Sequence, residues 1–221
     1  TGLSDHELAQ GYETVVDPSV YVRFPLTSGP LAGEAALLVW TTTPWTLVSN
    51  TAVAAHPEVA YVVATNGEEK LVVAEPLLGK ALGEGWEPTG QRFTGAEMEY
   101  WTYRRPFELV EFPDETAEGN PAPAHFVVTA EYVTTEDGTG LVHQSPAFGE
   151  DDLKVCRSYE LPVVNPVRPD GTFAEDVPLV GGVFFKKADE KLTQDLQERG
   201  LLFKHLPYEH SYPHCWRCHT A

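Results

Sequence analysis

The sequence predicts a mainly β protein, with a β-barrel core and a few short α-helices at its periphery. Two observations lead there. Seven short runs rich in β-branched and aromatic residues recur along the chain, each bounded by Gly, Pro, Asn or Asp, the composition that a pleated, half-buried strand favours. Helical spacing is confined to two places, and many short strands with few helices argue for a barrel or sandwich.

The strand runs are residues 20–24, 36–40, 61–64, 71–74, 100–103, 125–129 and 140–143. Asn66-Gly67 lies between the third and fourth, a dipeptide that suits the positive φ angles of a hairpin turn. A short helix is expected to open at Gly149-Glu150-Asp151-Asp152, with Leu153 and Cys156 on its inner face. Its three carboxylates would complement the positive end of the helix dipole. A longer helix is expected between Lys187 and Arg199, because Ala188, Leu192 and Leu196 recur every four residues and Gly200 follows as a stop. Residues 113–123 read as a polar Pro/Gly loop, and no internal repeat is present. With 221 residues, 42% of them hydrophobic, the chain can build one sizeable core. Residues 1–221 are therefore expected to form a single domain, with 205–221 a C-terminal segment bearing its own motif.

Lys and Arg number 15 against 33 Asp and Glu, for a formal net charge of −18. Such a surface repels phosphate and weighs against a stand-alone nucleic-acid binder. Arg104-Arg105 and Lys186-Lys187 are only small basic spots. There is no run of about 18 apolar residues and no basic-then-apolar start of the secretory kind. Three cysteines cannot all pair within the chain, and Cys215 and Cys218 form a Cys-x-x-Cys, which favours a reducing compartment. A cytoplasmic protein with no membrane partner is expected.

Three constellations can carry chemistry. Trp40-Thr41-Thr42-Thr43-Pro44-Trp45-Thr46-Leu47 ends an apolar strand, and Pro44 turns Thr43 away from helical geometry. The hydroxyls and N–H groups there can meet a carbonyl, a ribose or a phosphate oxygen, although threonines also suit a plain β-turn. Gly138-Thr139-Gly140 opens a strand carrying His143 and leads to the acidic turn at residues 149–152. The glycines allow close backbone approach, and a carboxylate at that turn can hold an ammonium group. The same acids also suit an ordinary helix start. His214-Cys215-Trp216-Arg217-Cys218-His219 has the spacing of half a structural zinc site, and no second cysteine pair exists to close it. Phosphate-binding Gly-Lys-Ser/Thr loops, dinucleotide fingerprints and Gly-x-Ser-x-Gly elbows are absent.

The first two motifs together resemble the editing domain inserted in the class I aminoacyl-tRNA synthetases for isoleucine, valine and leucine. The resemblance runs from Asp17-Pro18-Ser19-Val20-Tyr21-Val22 to the final Cys-x-x-Cys. Valine and leucine types typically carry Thr-Thr-Arg-Pro-Glu/Asp-Thr and lack a histidine at the place of His143, so Thr-Thr-Thr-Pro-Trp-Thr with His143 resembles the isoleucine type. Neither His-x-Gly-His nor Lys-Met-Ser-Lys-Ser, the adenylate-forming signatures, is present.

The resemblance implies hydrolytic proofreading of valine esterified to the 3′ end of tRNA, with valyl-adenylate a second substrate. One methylene is worth only about 1–3 kcal/mol in a binding pocket, the isoleucine synthetase being itself the standard illustration of that margin. A second pocket that excludes the larger amino acid and hydrolyses the smaller one removes the error. By the same resemblance Asp152 binds the substrate ammonium, and Thr41, Thr42 and Thr43 hold the terminal adenosine and the ester. Trp45, Thr46 and Asn50 neighbour the pocket, Gly138, Thr139 and Gly140 contribute to substrate binding, and His143 forms the wall that limits size. Water is the expected nucleophile, no cofactor or metal is expected for editing, and the zinc half-site at Cys215 and Cys218 is expected to be completed elsewhere in the synthetase. The rest of the synthetase in cis is the expected partner of an otherwise monomeric fragment. Three rivals remain: a valine- or leucine-type editing domain, a non-catalytic tRNA-positioning module, and a zinc-ribbon interaction module.

Overall fold

The computed structural model describes the backbone of residues 12–213 and the side chains of 14–209. Among the described residues nine strands form one mixed sheet: β1 (Tyr12–Pro25), β2 (Ala36–Thr41), β3 (Ala52–Ala55), β4 (Ala60–Thr65), β5 (Lys70–Ala74), β6 (Glu87–Thr94), β7 (Val127–Thr129), β8 (Leu141–Gln144) and β9 (Leu202–Pro213). The helices are α1 (Leu78–Leu82), α2 (Gly95–Met98), α3 (Glu150–Ser158) and α4 (Phe185–Glu198), with 3-10 turns at Pro44–Ser49 and Glu75–Leu77. The strand order β6-β4-β5-β2-β8-β3-β7, with β1 bridging β2 to β9, curls into a half-barrel, as the mainly β expectation required. No helix among the described residues is long and apolar enough to cross a membrane.

Six of the seven expected runs lie in β1, β2, β4, β5, β7 and β8. Residues 100–103 do not form a strand. Tyr100 takes φ 66° and breaks the extended run, so Thr102 and Tyr103 make only isolated bridges to Phe126 and Leu26. The segment at 125–129 shortens for the same reason, because His125 sits at φ 65°. Three strands went unforeseen. β6 is a polar, largely exposed edge paired only to β4, and charged edges discourage further pairing. β9 contains Pro207 and pairs only with β1, where a missing N–H breaks no second ladder. β3 is Ala-Val-Ala-Ala, fully buried between β7 and β8, and alanine carries little strand signal.

The hairpin at Asn66-Gly67 joins antiparallel β4 and β5. Asn66 Oδ1 accepts the N–H groups of Glu68 and Glu69, and Gly67 takes φ 92°. Both expected helices are present, α3 with Gly149 as N-cap and α4 burying Ala188, Leu192 and Leu196. The short α2 starts on a capping box in which Thr94 and Glu97 bond each other's backbone, the geometry that a Thr-x-x-Glu spacing favours. Val20, Val22, Phe24, Leu37 and Val39 meet Val53, Tyr61, Val72 and the α4 residues in the main core. Through these residues α4 packs on the sheet beside the site described below.

Candidate functional site

The site begins with strand direction. β2 and β8 are parallel neighbours, with Trp40 beside Val142, so both chains leave the sheet at the same edge. After β2, Thr43 takes φ −127°, ψ 70° and Pro44 opens the 3-10 turn, as the residue before a proline must avoid helical geometry. After β8, Ser145–Gly149 turns into α3. Between them lies a cleft of about 520 Å³ whose walls include Trp40, Thr41, Thr43, Trp45, Thr46 and His143. Val142, Ser145, Phe148, Gly149, Asp152 and Phe185 complete it.

On the strand side a chain of hydrogen bonds can be given a direction. The Asn50 amide donates to Ala52 O at 3.0 Å and accepts the Tyr103 hydroxyl at 2.7 Å, which fixes its orientation. Its remaining hydrogen faces His143 Nδ1 at 3.2 Å. Nδ1 is therefore the acceptor, and the proton sits on Nε2, 2.7 Å from Thr46 Oγ1. Thr46 in turn donates to Thr43 O at 2.8 Å, and the hydroxyls of Thr41, Thr43 and Thr46 follow one another at 3.2 and 3.1 Å. Burial pushes the His143 pKa down to about 4, so the ring is neutral at pH 7. With both nitrogens engaged it is a fixed wall and holds no spare lone pair to act as a base.

On the helix side, Asp152 stands in the first turn of α3. Its Oδ2 accepts the Ser145 N–H at 2.8 Å, and the Tyr132 hydroxyl approaches Oδ1 at 3.5 Å. Burial raises its pKa, opposed by those two bonds, so a cation in the cleft would be drawn to it. Gly149 makes room for this: a Cβ there would lie 2.7 Å from the Asp152 carboxyl carbon.

The sequence-predicted residues divide into two groups. Thr41, Thr43, Trp45, Thr46, His143 and Asp152 come together on the cleft. Thr42 is half-buried and does not line it. Asn50 lies behind the wall, fully buried, and acts on the cleft only through His143. Gly138, Thr139 and Gly140 are also off the cleft, because the glycines serve packing. A Cβ on Gly138 would come 2.6 Å from the Trp40 ring and one on Gly140 2.4 Å from Ala74 Cβ, while Thr139 O accepts Ala74 N–H at 2.9 Å. Cys215 and Cys218 lie outside the described residues, and among the described ones no group of three His, Cys, Asp or Glu is placed to hold a metal. Phe185, from α4, was missed, since nothing in the sequence ties that helix to the threonine motif.

The fold matches that of solved synthetase editing domains. GlLeuRS-CP1 superposes with a TM-score of 0.60 at 16% identity, covering 85% of this chain and 98% of that one. The P. knowlesi cytosolic leucyl-tRNA synthetase editing domain gives 0.57 at 10% identity, covering 88% and 98%. The chain thus shares the fold of these synthetase editing domains. No family model matches it. In sequence, the isoleucine--tRNA ligase of Streptomyces coelicolor is 87% identical over 221 residues and that of Thermobifida fusca 76% identical over 220. The chain belongs to the isoleucine--tRNA ligase family, matching these relatives over 100% of its own length and spanning 20% of theirs.

Proposed function

We propose that this chain proofreads for an isoleucine--tRNA ligase by hydrolysing valine from the 3′ end of tRNA, with valyl-adenylate as a second substrate. The observation that carries the reading is the cleft itself, which sets a half-buried carboxylate opposite a rigid neutral histidine and a row of threonine hydroxyls. Asp152 holds the α-ammonium by a charge-assisted bond, which directs the ester towards the threonines. Thr41 and Thr43 take the terminal ribose and the ester region. His143, held from behind by Asn50 and in front by Thr46, limits the side chain that enters.

Water attacks the ester carbonyl carbon, the C–O bond to the ribose breaks, and the ribose oxygen leaves with a proton from solvent. The released amino acid keeps the water oxygen. An aminoacyl ester is activated, so orientation and stabilisation of the oxyanion account for the rate without a protein nucleophile. The Cys215–Cys218 pair belongs in this reading to a structural zinc site shared with the rest of the synthetase. The −18 charge favours catalysis over tRNA positioning as the domain's task, because tRNA affinity must then come from elsewhere in the synthetase.

The test is deacylation of valyl-tRNA(Ile) and isoleucyl-tRNA(Ile) by the full-length ligase and by the 221-residue chain. Selective release of valine supports the reading. Release of threonine from its tRNA in preference to valine would support the valine type, and tRNA binding without turnover the positioning module.

A further inference from the structure

We propose that Asp189 is a positioning residue for the reaction in the cleft, holding from α4 the backbone of the threonine motif. This rests on the proofreading reading for its assay but on independent geometry for its content. The 3-10 turn Pro44–Ser49 has no side-chain cap of its own, and the start of any such turn leaves N–H groups without an intrahelical partner. Pro44 has no N–H, so that of Trp45 is the first left over. Asp189 Oδ1 accepts it at 2.8 Å, a cap supplied from 144 residues further along the chain.

The grip has a second point. Phe185 and Asp189 are one turn apart on α4 and so share a face. The Phe185 ring meets the Trp45 ring at 4.6 Å, and the Phe148 ring meets it at 4.6 Å as well. Trp45 is thereby fixed at both backbone and side chain, and Thr46, the next residue, is the partner of His143. A shift of the turn would move the cleft's aromatic wall and withdraw the acceptor of the His143 Nε2 proton together. Burying a carboxylate here has a cost, since burial pushes Asp189 up to about 7, opposed first by the Trp45 N–H. An apolar residue would avoid that cost, and what it would forgo is the oxygen on Trp45. Lys186 and Asp17 act on Asp189 in opposite senses, and Glu190 and His205 line the cavity on its far side.

The experiment uses full-length ligase with Asp189→Ala, Asp189→Asn and wild type, in single-turnover hydrolysis of valyl-tRNA(Ile) with enzyme varied to separate rate from affinity. Asp189→Asn keeps an acceptor oxygen at the same reach. The expected result is at least a tenfold fall in the saturating rate for Asp189→Ala, little change in the half-saturating concentration, and recovery to within threefold in Asp189→Asn. Equal rates in Asp189→Ala and wild type would overturn the proposal, as would equal losses in Ala and Asn, which would assign the effect to charge and not to the acceptor. Should Asp189→Ala prove unfolded by circular dichroism, Asp189→Ser takes its place with the same expected loss. A wild-type enzyme that fails to release valine would overturn the proofreading reading alone, and the bond to Trp45 would then be read from the amide shift of Trp45 in the variants, expected to move in Ala and Ser and not in Asn.

Discussion

On the strand side of the cleft, His143 has both nitrogens taken, one by Thr46 and one by Asn50, and every partner is itself bonded onward. On the helix side, Asp152 accepts one N–H at 2.8 Å and one hydroxyl at 3.5 Å, out of the roughly four acceptor positions of a carboxylate. The His143 ring has its one polar hydrogen and its lone pair committed and can offer a substrate side chain only shape. Asp152 retains capacity for a new donor and offers charge. In the proposed reading, division of recognition between the walls has size and ammonium read by different residues, so that each can be altered without the other.

Asp152→Ala should produce the largest change. Loss of a charge-assisted partner worth about 1.5–3 kcal/mol, together with the orientation it gives, should lower valyl-tRNA hydrolysis by on the order of a hundredfold or more in single turnover. Undiminished hydrolysis would remove Asp152 from the reaction. His143→Ala attacks the other wall, and there selectivity should fall more than rate. The enlarged site should begin to release isoleucine from its correct tRNA, and an enzyme that still spares isoleucyl-tRNA completely would place the size filter on another residue.

Acid sharpens the same contrast through stability. His143 and His125 are both pushed to about 4 chiefly by burial, with the nearby Arg105 charge adding to the shift at His125. Between their ordinary value near 6.5 and pH 4 the unfolded chain binds protons that the folded one refuses, so stability falls as pH falls through that window. The cost is nil above about pH 6.5 and on the order of 3 kcal/mol for each ring below about pH 4. Asp189 works against this: its raised pKa means the folded chain binds the proton more tightly between about 4 and 7, so acidification there is stabilising. The melting temperature of His143→Gln should depend less on pH than that of wild type between 6.5 and 4, and parallel curves would show that the ring protonates without unfolding. The smallest effect is expected from Thr46→Val, which keeps shape and removes the acceptor of the Nε2 proton. An unpaired buried donor costs about 1–3 kcal/mol, measurable by urea denaturation, and the imidazole resonances should show a freed ring.

How far the sequence disclosed this molecule follows from what each element depends on. Where a segment's fate is local it was readable: Ala188, Leu192 and Leu196 mark α4, Asn66-Gly67 marks the hairpin, and Pro44 marks the exit from β2. β3 and β6 were hidden because their partners make them strands, one by burial of alanines and the other by pairing along a polar edge. The site shows the same boundary. The cleft residues Thr41, Thr43 and Asp152 sit in motifs that could be picked out, but Gly138 and Gly140 acquire their meaning only from the Trp40 ring and Ala74 against them. Phe185 and Asp189 reach the threonine motif by helix packing, and no pattern within either segment records that contact.

The β1–β9 ribbon has a mechanical consequence. Pairing runs from Tyr12 opposite Pro213 to Val22 opposite Leu202, so the strands through which the polypeptide enters and leaves the half-barrel travel side by side, about 4.8 Å apart. A longer chain can carry this unit on a double-stranded stalk, with its flanking sequence meeting at one point. Such a stalk resists stretching, because hydrogen bonds tie the two strands along most of their length, yet it can twist and bend as a single strip. Motion of the cleft relative to a flanking segment would then follow the torsion and bending of that strip.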